Sequence, residues 1–387
     1  MKILYMEWPA YGSEYIRKEL KAMGHELVIY EFPHRDEGLR YGEGIAESIV
    51  KEAVKNGSEL IFSLNFFPVI AVAAHALRIR YISWVYDSPA VLTYAMPVFL
   101  PEVYLFHFDS FEVSKLKAAG VENVFYMSLA ADTAHYDAIR ITPEDEGRYA
   151  ADIAMTGSMY SEDKFAIFKK YENFDDHTKG YLEALICAQE KIYGADIMEP
   201  ALTPDIMEKI LKSVPLMAHE DSFDTVEWVF ANYYMAKKVT SAEREHVLKA
   251  LSEKYETALY TREETPSLPR VINRGWVDYY TEFPKTVKCA KINLNISLKS
   301  IHSGIPLRVI DLMACGGFVL SNYQEDLCRD FIPGEDFVYY ESKEDAVEKA
   351  GYYLEHEDER IRIARNGYEK VKRQNNFRKK ISEMLEV

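Results

Sequence analysis

The sequence predicts an α/β protein built from two doubly wound domains, each with a parallel sheet. Short apolar strands alternate with helices through the first 130 residues, and the alternation resumes at 152–157 and again from about 257. Strands that alternate with helices across short turns indicate a parallel sheet covered on both faces. The length of 387 residues also exceeds what one domain usually needs. Between the two alternating stretches the periodicity is mainly helical.

The first domain is assigned to residues 1–145 from its apolar strands. These are expected at Lys2–Trp8, Glu26–Phe32, Leu60–Leu64, Tyr81–Tyr86, Tyr104–Phe108 and Val124–Ser128. One helix should follow the turn Tyr11–Gly12–Ser13 and end near Gly24. The other helices are expected at Glu43–Lys55, Pro68–Leu77 and Ser110–Ala119. Such an order is typical of a doubly wound domain.

The second domain is assigned to residues 150–375, after a polar stretch, Thr142–Arg148, that predicts a link. Its strands are expected at Asp152–Gly157, Thr257–Tyr260, Arg270–Val277, Lys291–Ile296, Phe318–Ser321 and Phe337–Tyr340. Helices are expected after Pro306 and at Lys343–Glu355 and Glu359–Gln374. A helical insertion at about 165–255 is assigned to acceptor recognition or oligomerisation, and a C-terminal helix to 376–387.

Composition excludes several functional classes. The net charge of −16 argues against a nucleic-acid partner, because such binding needs clustered cations. The four cysteines are scattered, which indicates reduced thiols in a cytoplasmic protein rather than a metal site or disulfides. The longest uncharged stretch, Ile61–Leu77, contains Asn65, Pro68 and His75, so no transmembrane segment is predicted.

One run of residues carries most of the functional signal, at 303–322. Pro306 suits the start of a helix, and Gly316–Gly317 suit its end. The free amides of the helix start form a natural anion site. Arg308 and Asp311 are three positions apart and share a face beside it. A cation, a carboxylate and free amides would suit a nucleotide diphosphate and its ribose.

The C-terminal third resembles the glycosyltransferase group 1 (family 4-like) domain of GT-B enzymes, especially the spore-maturation-protein-like (CgeB-like) branch. The similar segments are 291–295, 304–318, 334–336, 352–356, Arg360 and Asn366–Gly367. The segment Trp84–Pro89 is similar to that branch as well. The resemblance implies two Rossmann-like domains facing a cleft, with a nucleotide sugar in the second and an acceptor in the first. It implies no metal and no cofactor beyond the donor substrate.

The resemblance also assigns roles to residues of the run. Asp311 falls on the second acid of the Glu-x7-Glu pattern, which grips ribose hydroxyls. The first acid would fall on Ser303, so a carboxylate for the donor sugar is missing. Ser303 itself, His302 or Lys299 could take its place. A retaining reaction follows by analogy with Glu-x7-Glu enzymes.

The predicted nucleotide-sugar site has further members, several with a plain structural alternative. The full set is Arg308, Asp311, Ser303, Gly304, Ile305, Leu307, Asn295, His302, Gly157, Ser158 and Arg274. Asp311 could merely pair with Arg308 on an exposed face, and Asn295 could be a satisfied amide at a strand end. Gly157–Ser158 could contact a phosphate or only close a strand, and Arg274 could be a surface arginine.

The first domain offers an acceptor side and a general base. Tyr11 and Gly12 lie at the first turn between strand and helix, and Asp87 ends the fourth strand. Carboxyl ends of parallel strands line the crevice of such domains, so Asp87 is the candidate base. Its alternative is a turn-forming role before Ser-Pro, and His107 and Asp109 are weaker candidates.

Together these features predict a metal-independent glycosyltransferase that moves a sugar from a nucleotide-diphosphate sugar to an acceptor hydroxyl. The acceptor, whether glycan, protein or small molecule, and the oligomeric state stay open. Two alternatives belong to other classes. One is a sugar-nucleotide epimerase, which would need more cleft carboxylates and histidines. The other is a non-catalytic nucleotide-sugar-binding or interaction protein, which the missing acid at Ser303 favours.

Overall fold

The computed structural model describes residues 1–34, 39–40, 42–161, 171–214, 216–217 and 219–387. The chain forms two compact units. The first domain comprises Met1–Ala131, Ala218–Thr225 and Asn375–Val387, and the second comprises Asp132–Met217 and Val226–Gln374. The predicted ranges of 1–145 and 150–375 therefore differ from these units at their shared boundary. The residues from Asp132 onward pack on the second domain, where Lys288 Nζ donates to the Tyr136 carbonyl at 2.6 Å.

The first domain contains a parallel sheet and helices that follow the predicted order. Its strands are β1 (Lys2–Glu7), β2 (Glu26–Glu31), β3 (Leu60–Leu64), β4 (Arg80–Val85), β5 (Val103–His107) and β6 (Val124–Tyr126). Its helices are α1 (Ser13–Ala22), α2 (Glu43–Asn56), α3 (Pro68–Leu77) and α4 (Ser110–Ala118), with 3-10 turns at Val91–Tyr94 and Met96–Phe99.

The strand order of this sheet creates a switch point. Within the described residues the order is β2-β1-β3-β4-β5-β6, and every pairing is parallel. The chain begins at β1, adds β2 on one side and β3 on the other, so its direction reverses between β1 and β3. Apolar strand residues such as Leu4, Ile61 and Leu105 form the core with α3. The carboxyl ends of β1 and β3 are therefore where a doubly wound domain would bind a ligand.

The second domain begins with two short helices, α5 (Thr133–Ala138) and α6 (Pro143–Tyr149). Its strands are β7 (Ala151–Thr156), β8 (Thr257–Tyr260), β9 (Ile272–Asn273), β10 (Ala290–Asn295), β11 (Val319–Asn322) and β12 (Val338–Tyr340). A 3-10 turn, Tyr171–Asn173, and a π-helical segment, Phe230–Met235, interrupt the later helices. Those helices are α7 (Asp176–Glu190), α8 (Met198–Ala201), α9 (Pro204–Ser213), α10 (Val226–Val229), α11 (Ala236–Ser252), α12 (Phe283–Cys289), α13 (Leu307–Ala314), α14 (Glu325–Asp330), α15 (Lys343–Glu355) and α16 (Glu357–Gln374).

The second sheet repeats the arrangement of the first. Within the described residues its order is β12-β11-β10-β7-β8-β9, with parallel pairing throughout. The switch point lies between β7 and β10, because β8 and β9 extend one side while β10 to β12 extend the other. The buried residues Ile153, Leu259, Ile292 and Leu320 form the centre of its core. The residues that follow β7 and β10 consequently lie at the ligand-binding edge of the sheet.

The helical insertion has an apolar core of its own. Leu182, Met198, Ile210 and Phe230 belong to a cluster of buried residues that extends from 174 to 239. Helix α11 joins two cores, because its Ala236 and Val239 belong to this cluster while its Val247, Leu248 and Leu251 pack into the core of the main sheet. It is the last helix before β8, the parallel neighbour of β7, and thus belongs to the crossover between these strands. The insertion ends before about 255, and its predicted start near 165 lies outside the described residues.

Three other predictions need correction. The link Thr142–Arg148 is largely helical, because Thr142 and Asp145 form a reciprocal capping box at the start of α6. The strand expected at Arg270–Val277 is limited to β9, an exposed edge pair of residues. The last helix, α17 (Phe377–Glu386), belongs to the first domain, where Phe377 packs on Tyr15 with ring centroids 5.5 Å apart. In the part of the chain that the structure describes, no helix is long and apolar enough to cross a bilayer.

Candidate functional site

A turn at the carboxyl end of β7 meets an arginine of α13. Gly157 has a φ of +153°, a conformation that side chains rarely adopt. A Cβ built on Gly157 would lie 2.6 Å from Nη2 of Arg308, so the backbone contacts the guanidinium directly. Arg308 is half-buried and makes no ion pair with a carboxylate among the described residues. Gly157, Ser158 and Arg308 are therefore brought together, as the sequence predicted.

A single buried carboxylate holds the turn that follows Gly157. Glu263 accepts hydrogen bonds from Ser158 Oγ at 2.5 Å, from the Met159 amide at 2.6 Å and from the Ser161 amide at 2.6 Å. Burial raises the pKa of Glu263, but the hydrogen bonds from Ser158 and Ser161 outweigh it and leave the pKa below its ordinary value. The turn is thus fixed by an ionised side chain before any ligand binds.

Asp311 lies inside the domain, not on an exposed helix face. Its side chain is 2% exposed, and its two oxygens accept hydrogen bonds from Tyr136 Oη at 2.9 Å and Tyr279 Oη at 2.8 Å. Burial raises its pKa to about 7, while the two tyrosine hydroxyls and the charge of Arg308 oppose that rise. The alternative of a simple surface pair with Arg308 is therefore wrong.

The loop between β10 and α13 contains most of the other predicted residues. Gly304 and Ile305 are buried, Leu307 is half-buried, and Pro306 occupies the N-cap position immediately before α13. The Val309 amide donates to the Pro306 carbonyl at 3.0 Å, whereas the amides of Leu307 and Arg308 lack intrahelical acceptors, as at any helix start. They lie in the same turn as the Arg308 side chain, so the predicted combination of free amides and a cation is present.

Ser303 stands where the resemblance places an acid, and the structure shows what its hydroxyl contacts. Ser303 Oγ donates to Asp326 Oδ2 at 3.3 Å, and the Asp326 amide donates to the Ser303 carbonyl at 2.9 Å. Asp326 is fully buried and forms an ion pair with Arg329 at 2.8 Å. Ser303 is consequently tied to a neighbouring helix by a structural contact.

The other candidates for the missing acid's role are held by contacts within the domain. His302 Nε2 lies 2.9 Å from Asn232 Oδ1, an acceptor in the π-helical segment. Lys299 Nζ lies 3.2 Å from Glu243 Oε2, so its charge is neutralised. Asn295 is fully buried, and its Nδ2 donates to Ser321 Oγ at 2.9 Å. Its Oδ1 is buried without a hydrogen-bond partner among the described residues, so the amide is only half satisfied and the structural alternative does not account for all of it.

Arg274 does not join this group. Its Nη2 donates to the Ala150 carbonyl at 2.9 Å and its Nη1 to Tyr260 Oη at 3.1 Å. Ala150 immediately precedes β7, at the amino end of the sheet, opposite the Gly157 turn. The prediction that Arg274 reaches a diphosphate is therefore wrong, because its side chain points to the other end of the strands.

In the first domain, Asp87 and the first turn occupy the predicted edge. Asp87 follows β4, is exposed, and accepts a hydrogen bond from Asn65 Nδ2 at 2.6 Å. Asn65 itself follows β3, beside the switch point, with a φ of +57°. Gly12 has a φ of +86° at the N-cap of α1, and the neighbouring Tyr11 is 56% exposed. These side chains are accessible at the carboxyl edge of the sheet.

His107 is unsuited to proton transfer in the ground state. It is fully buried, and burial lowers its pKa to about 4, which the charge of Asp109 only partly offsets. Its Nδ1 accepts a hydrogen bond from the Asp109 amide at 3.0 Å. Asp109 in turn caps α4 by accepting from the Phe111 amide. Both weaker candidates therefore have structural roles, which leaves fewer groups for epimerase chemistry.

Sequence reasoning missed three residues of the site: Glu263, Tyr136 and Tyr279. Glu263 follows the carboxyl end of β8, and that position was a usable signal because strand ends face the ligand edge. The two tyrosines offered no such signal. They lie 175 and 32 positions from Asp311, and only the packing of α5 and α13 in one domain brings them to its carboxylate.

Comparison with known proteins supports the fold and part of the sequence assignment. Residues 238–386 match the family described as glycosyl transferase-like, which is less than half of the chain. No curated protein sequence matches the chain. The family match begins two residues into α11 and includes Arg308 and Asp311.

Solved structures match over the entire chain at low sequence identity. The chain is similar to HepE from Anabaena, solved with UDP and glucose, at 11% identity and a TM-score of 0.56, covering 100% of this chain and 99% of that one. Sucrose-phosphate synthase from Thermosynechococcus elongatus matches at 11% identity and a TM-score of 0.59, covering 100% of this chain and 98% of that one. AviGT4, a glycosyltransferase of avilamycin A biosynthesis, matches at 13% identity and a TM-score of 0.51, covering 100% of this chain and 96% of that one. The chain therefore has the two Rossmann-like domains of the GT-B glycosyltransferase fold, with a glycosyltransferase-like sequence in its C-terminal part.

Proposed function

We propose that the protein is a glycosyltransferase that transfers a sugar from a nucleotide-diphosphate sugar to an acceptor hydroxyl. The observation that carries the proposal is the contact between Arg308, at the start of α13, and the Gly157 turn at the switch point of the second sheet. HepE, which shares the fold, was solved with UDP-glucose. The glycosyltransferase-like match over 238–386 adds support from the sequence.

The departing diphosphate needs positive charge placed in advance. Arg308 and the first amides of α13 offer a cation and free N–H donors, and Glu263 keeps the adjoining turn rigid. Because the protein's own groups supply this charge, the reaction is proposed to need no metal ion and no cofactor. The proposal therefore assigns leaving-group stabilisation to Arg308 and the helix start.

The nucleoside is assigned to Asp311 and Tyr279. Asp311 is buried, whereas Tyr279, which donates to it, is half-buried. We propose that the ribose hydroxyls bind this carboxylate and hydroxyl pair, so that nucleoside binding orients the sugar for reaction. Asp87 is proposed as the acceptor's general base, because it is exposed beside the switch point of the first sheet. Retention of anomeric configuration and membership of the spore-maturation-protein-like branch are proposed from the resemblance.

The test combines nucleotide binding with turnover on the purified full chain. Thermal shift and titration calorimetry with UDP, GDP, dTDP and CMP would identify the base. The nucleotide sugar of that base would then be tested for nucleotide release. Loss of one charge-assisted hydrogen bond is worth about 1.5–3 kcal/mol, so Arg308→Ala should weaken binding roughly 10- to 150-fold. Arg362→Ala, which removes an exposed arginine paired with Glu359, is the matched control.

Three outcomes separate the candidate functions. Nucleotide binding that depends on Arg308, with release of nucleotide from its sugar, supports the transferase. Binding without turnover on any acceptor or with water would favour the non-catalytic alternative, which the structural role of Ser303 also favours. Absence of any nucleotide binding, or equal binding by Arg308→Ala, would refute the proposal.

A further inference from the structure

A second arginine, Arg244 of α11, is buried beside the same turn. It is 1% exposed, and its guanidinium donates to the carbonyls of Ser158 and of Ile296, the latter at 2.6 Å. It also lies over the ring of Tyr160, 4.9 Å from the centroid. Its Nε is buried and has no hydrogen-bond partner within the described part of the chain. Among the residues that the structure describes, no carboxylate forms an ion pair with it.

Two other cations of this domain with little exposed side chain each pair with a carboxylate, whereas no described carboxylate pairs with Arg244. Lys299 lies 3.2 Å from Glu243, and Arg360 lies 3.1 Å from Glu357. A buried charge without a partner is costly, since removing it from water is not offset by an attraction. Carbonyl oxygens satisfy two donor groups of Arg244 but do not cancel its charge.

Arg308 adds a second charge at the same place. Burial lowers the pKa of Arg308 to about 10, and repulsion by Arg244 contributes to that lowering. The two guanidinium groups contact consecutive residues, Gly157 for Arg308 and Ser158 for Arg244. Like charges held together in a rigid turn are typical of a site completed by an anion.

We propose that Arg244 and Arg308 together form a two-arginine site for the pyrophosphate of the donor, with Arg244 as its positioning residue. Arg244 holds the Ser158 carbonyl and the end of β10, and it supplies charge that Arg308 alone does not. The proposal rests on the proposed function, and it adds Arg244 of α11 to the residues that bind the donor. It also changes the expectation for residues 165–255, because their C-terminal helix serves the donor and not the acceptor.

The test uses calorimetric titration of the full chain with inorganic pyrophosphate, with the nucleoside diphosphate that the wild type binds, and with its nucleoside. Arg244→Gln should weaken pyrophosphate and nucleoside diphosphate binding at least tenfold and leave nucleoside binding unchanged. The salt dependence of pyrophosphate binding should also decrease, because one fewer charge contributes. Arg360→Gln is the matched control, as it removes a buried arginine whose charge is already neutralised. It should lower thermal stability without changing pyrophosphate affinity.

Arg244→Lys keeps the test decisive if the glutamine variant does not fold. Lysine retains the charge but loses the planar fork that serves two carbonyls, so we expect an intermediate loss of pyrophosphate affinity. Pyrophosphate binding within twofold of the wild type in either folded variant would overturn the role of Arg244. The proposed glycosyltransferase function would be unaffected by that result. Failure of the wild type to bind any nucleotide would instead count against the proposed function. Pyrophosphate binding that depends on both arginines would then still support the anion site.

Discussion

Asp311 should make the stability of the second domain depend on pH near neutrality. Its pKa is raised from 3.8 to about 7 by burial, so the folded protein holds a proton that the unfolded chain releases above pH 4. Stability therefore falls as pH rises from about 4 to about 7 and is flat beyond. At about 1.4 kcal/mol per pH unit, a shift of about 3 units corresponds to a loss of about 4 kcal/mol.

Asp311→Asn removes this titration while keeping the shape of the side chain. Its effect on the two tyrosine hydrogen bonds is the same at every pH. The informative quantity is therefore the pH dependence of the difference in unfolding free energy between the variant and the wild type. Between pH 5 and pH 8 the wild type should lose about 3 kcal/mol of unfolding free energy that the variant retains.

The assay is urea unfolding of the full chain at pH 5 and pH 8. Pulsed hydrogen exchange and mass spectrometry of peptides from α13 would follow the second domain. Asp278→Asn is the matched control, because hydrogen bonds from Thr281 lower the pKa of Asp278 and keep it ionised across this range. The unfolding free energy of the control should change with pH by the same amount as that of the wild type. If Asp311→Asn also runs parallel to the wild type, the carboxylate is not held protonated by burial and the reasoning is refuted.

Three further predictions concern the same site. Glu263→Gln replaces an acceptor with a donor and should cost about 1–3 kcal/mol in urea unfolding, whereas the exposed neighbour Glu264→Gln should cost nothing measurable. Gly157→Ala places a Cβ 2.6 Å from the Arg308 guanidinium, which must move, so calorimetry should show nucleotide binding weakened by up to roughly 10- to 150-fold, the loss expected for the Arg308 hydrogen bond; an unchanged affinity would contradict the site. Tyr279→Phe removes a hydrogen bond that lowers the pKa of Asp311, so the pH-dependent loss of stability should extend further above pH 7. A loss of unfolding free energy that ends at a lower pH in this variant than in the wild type would contradict the role of Tyr279.

Much of the fold could be predicted because it depends on local pattern. Apolar strands such as Leu60–Leu64 and helices such as Pro68–Leu77 and Lys343–Glu355 have the bounds expected of them. The errors fall where local and tertiary signals conflict. Thr142–Arg148 is polar and was expected to be a link, yet a capping box makes it helical. Helix α11 has the same periodicity as the insertion, yet only its first residues pack into the insertion's core and its later ones pack into the core of the main sheet.

The candidate site could be predicted only in its local part. Gly157, Ser158 and Arg308 belong to strand ends and to a helix start, and these positions follow from the alternation of strands and helices. Arg274 also follows a strand, but its side chain turns toward the amino end of the sheet. The direction of a long side chain depends on the acceptors around it, and sequence position does not reveal them.

Two α/β domains, and a cation and a carboxylate on one helix turn, can be predicted from the order of residues alone. Those properties depend on the spacing of residues along the chain, because the period of a helix or strand decides which side chains share a face. The tertiary structure decided the state of that site. It buries Asp311 behind two tyrosines and neutralises Lys299, while no carboxylate of the described residues forms an ion pair with Arg244 or Arg308. Burial and long-range neighbours set the charge of each group, and both exist only once distant segments pack together.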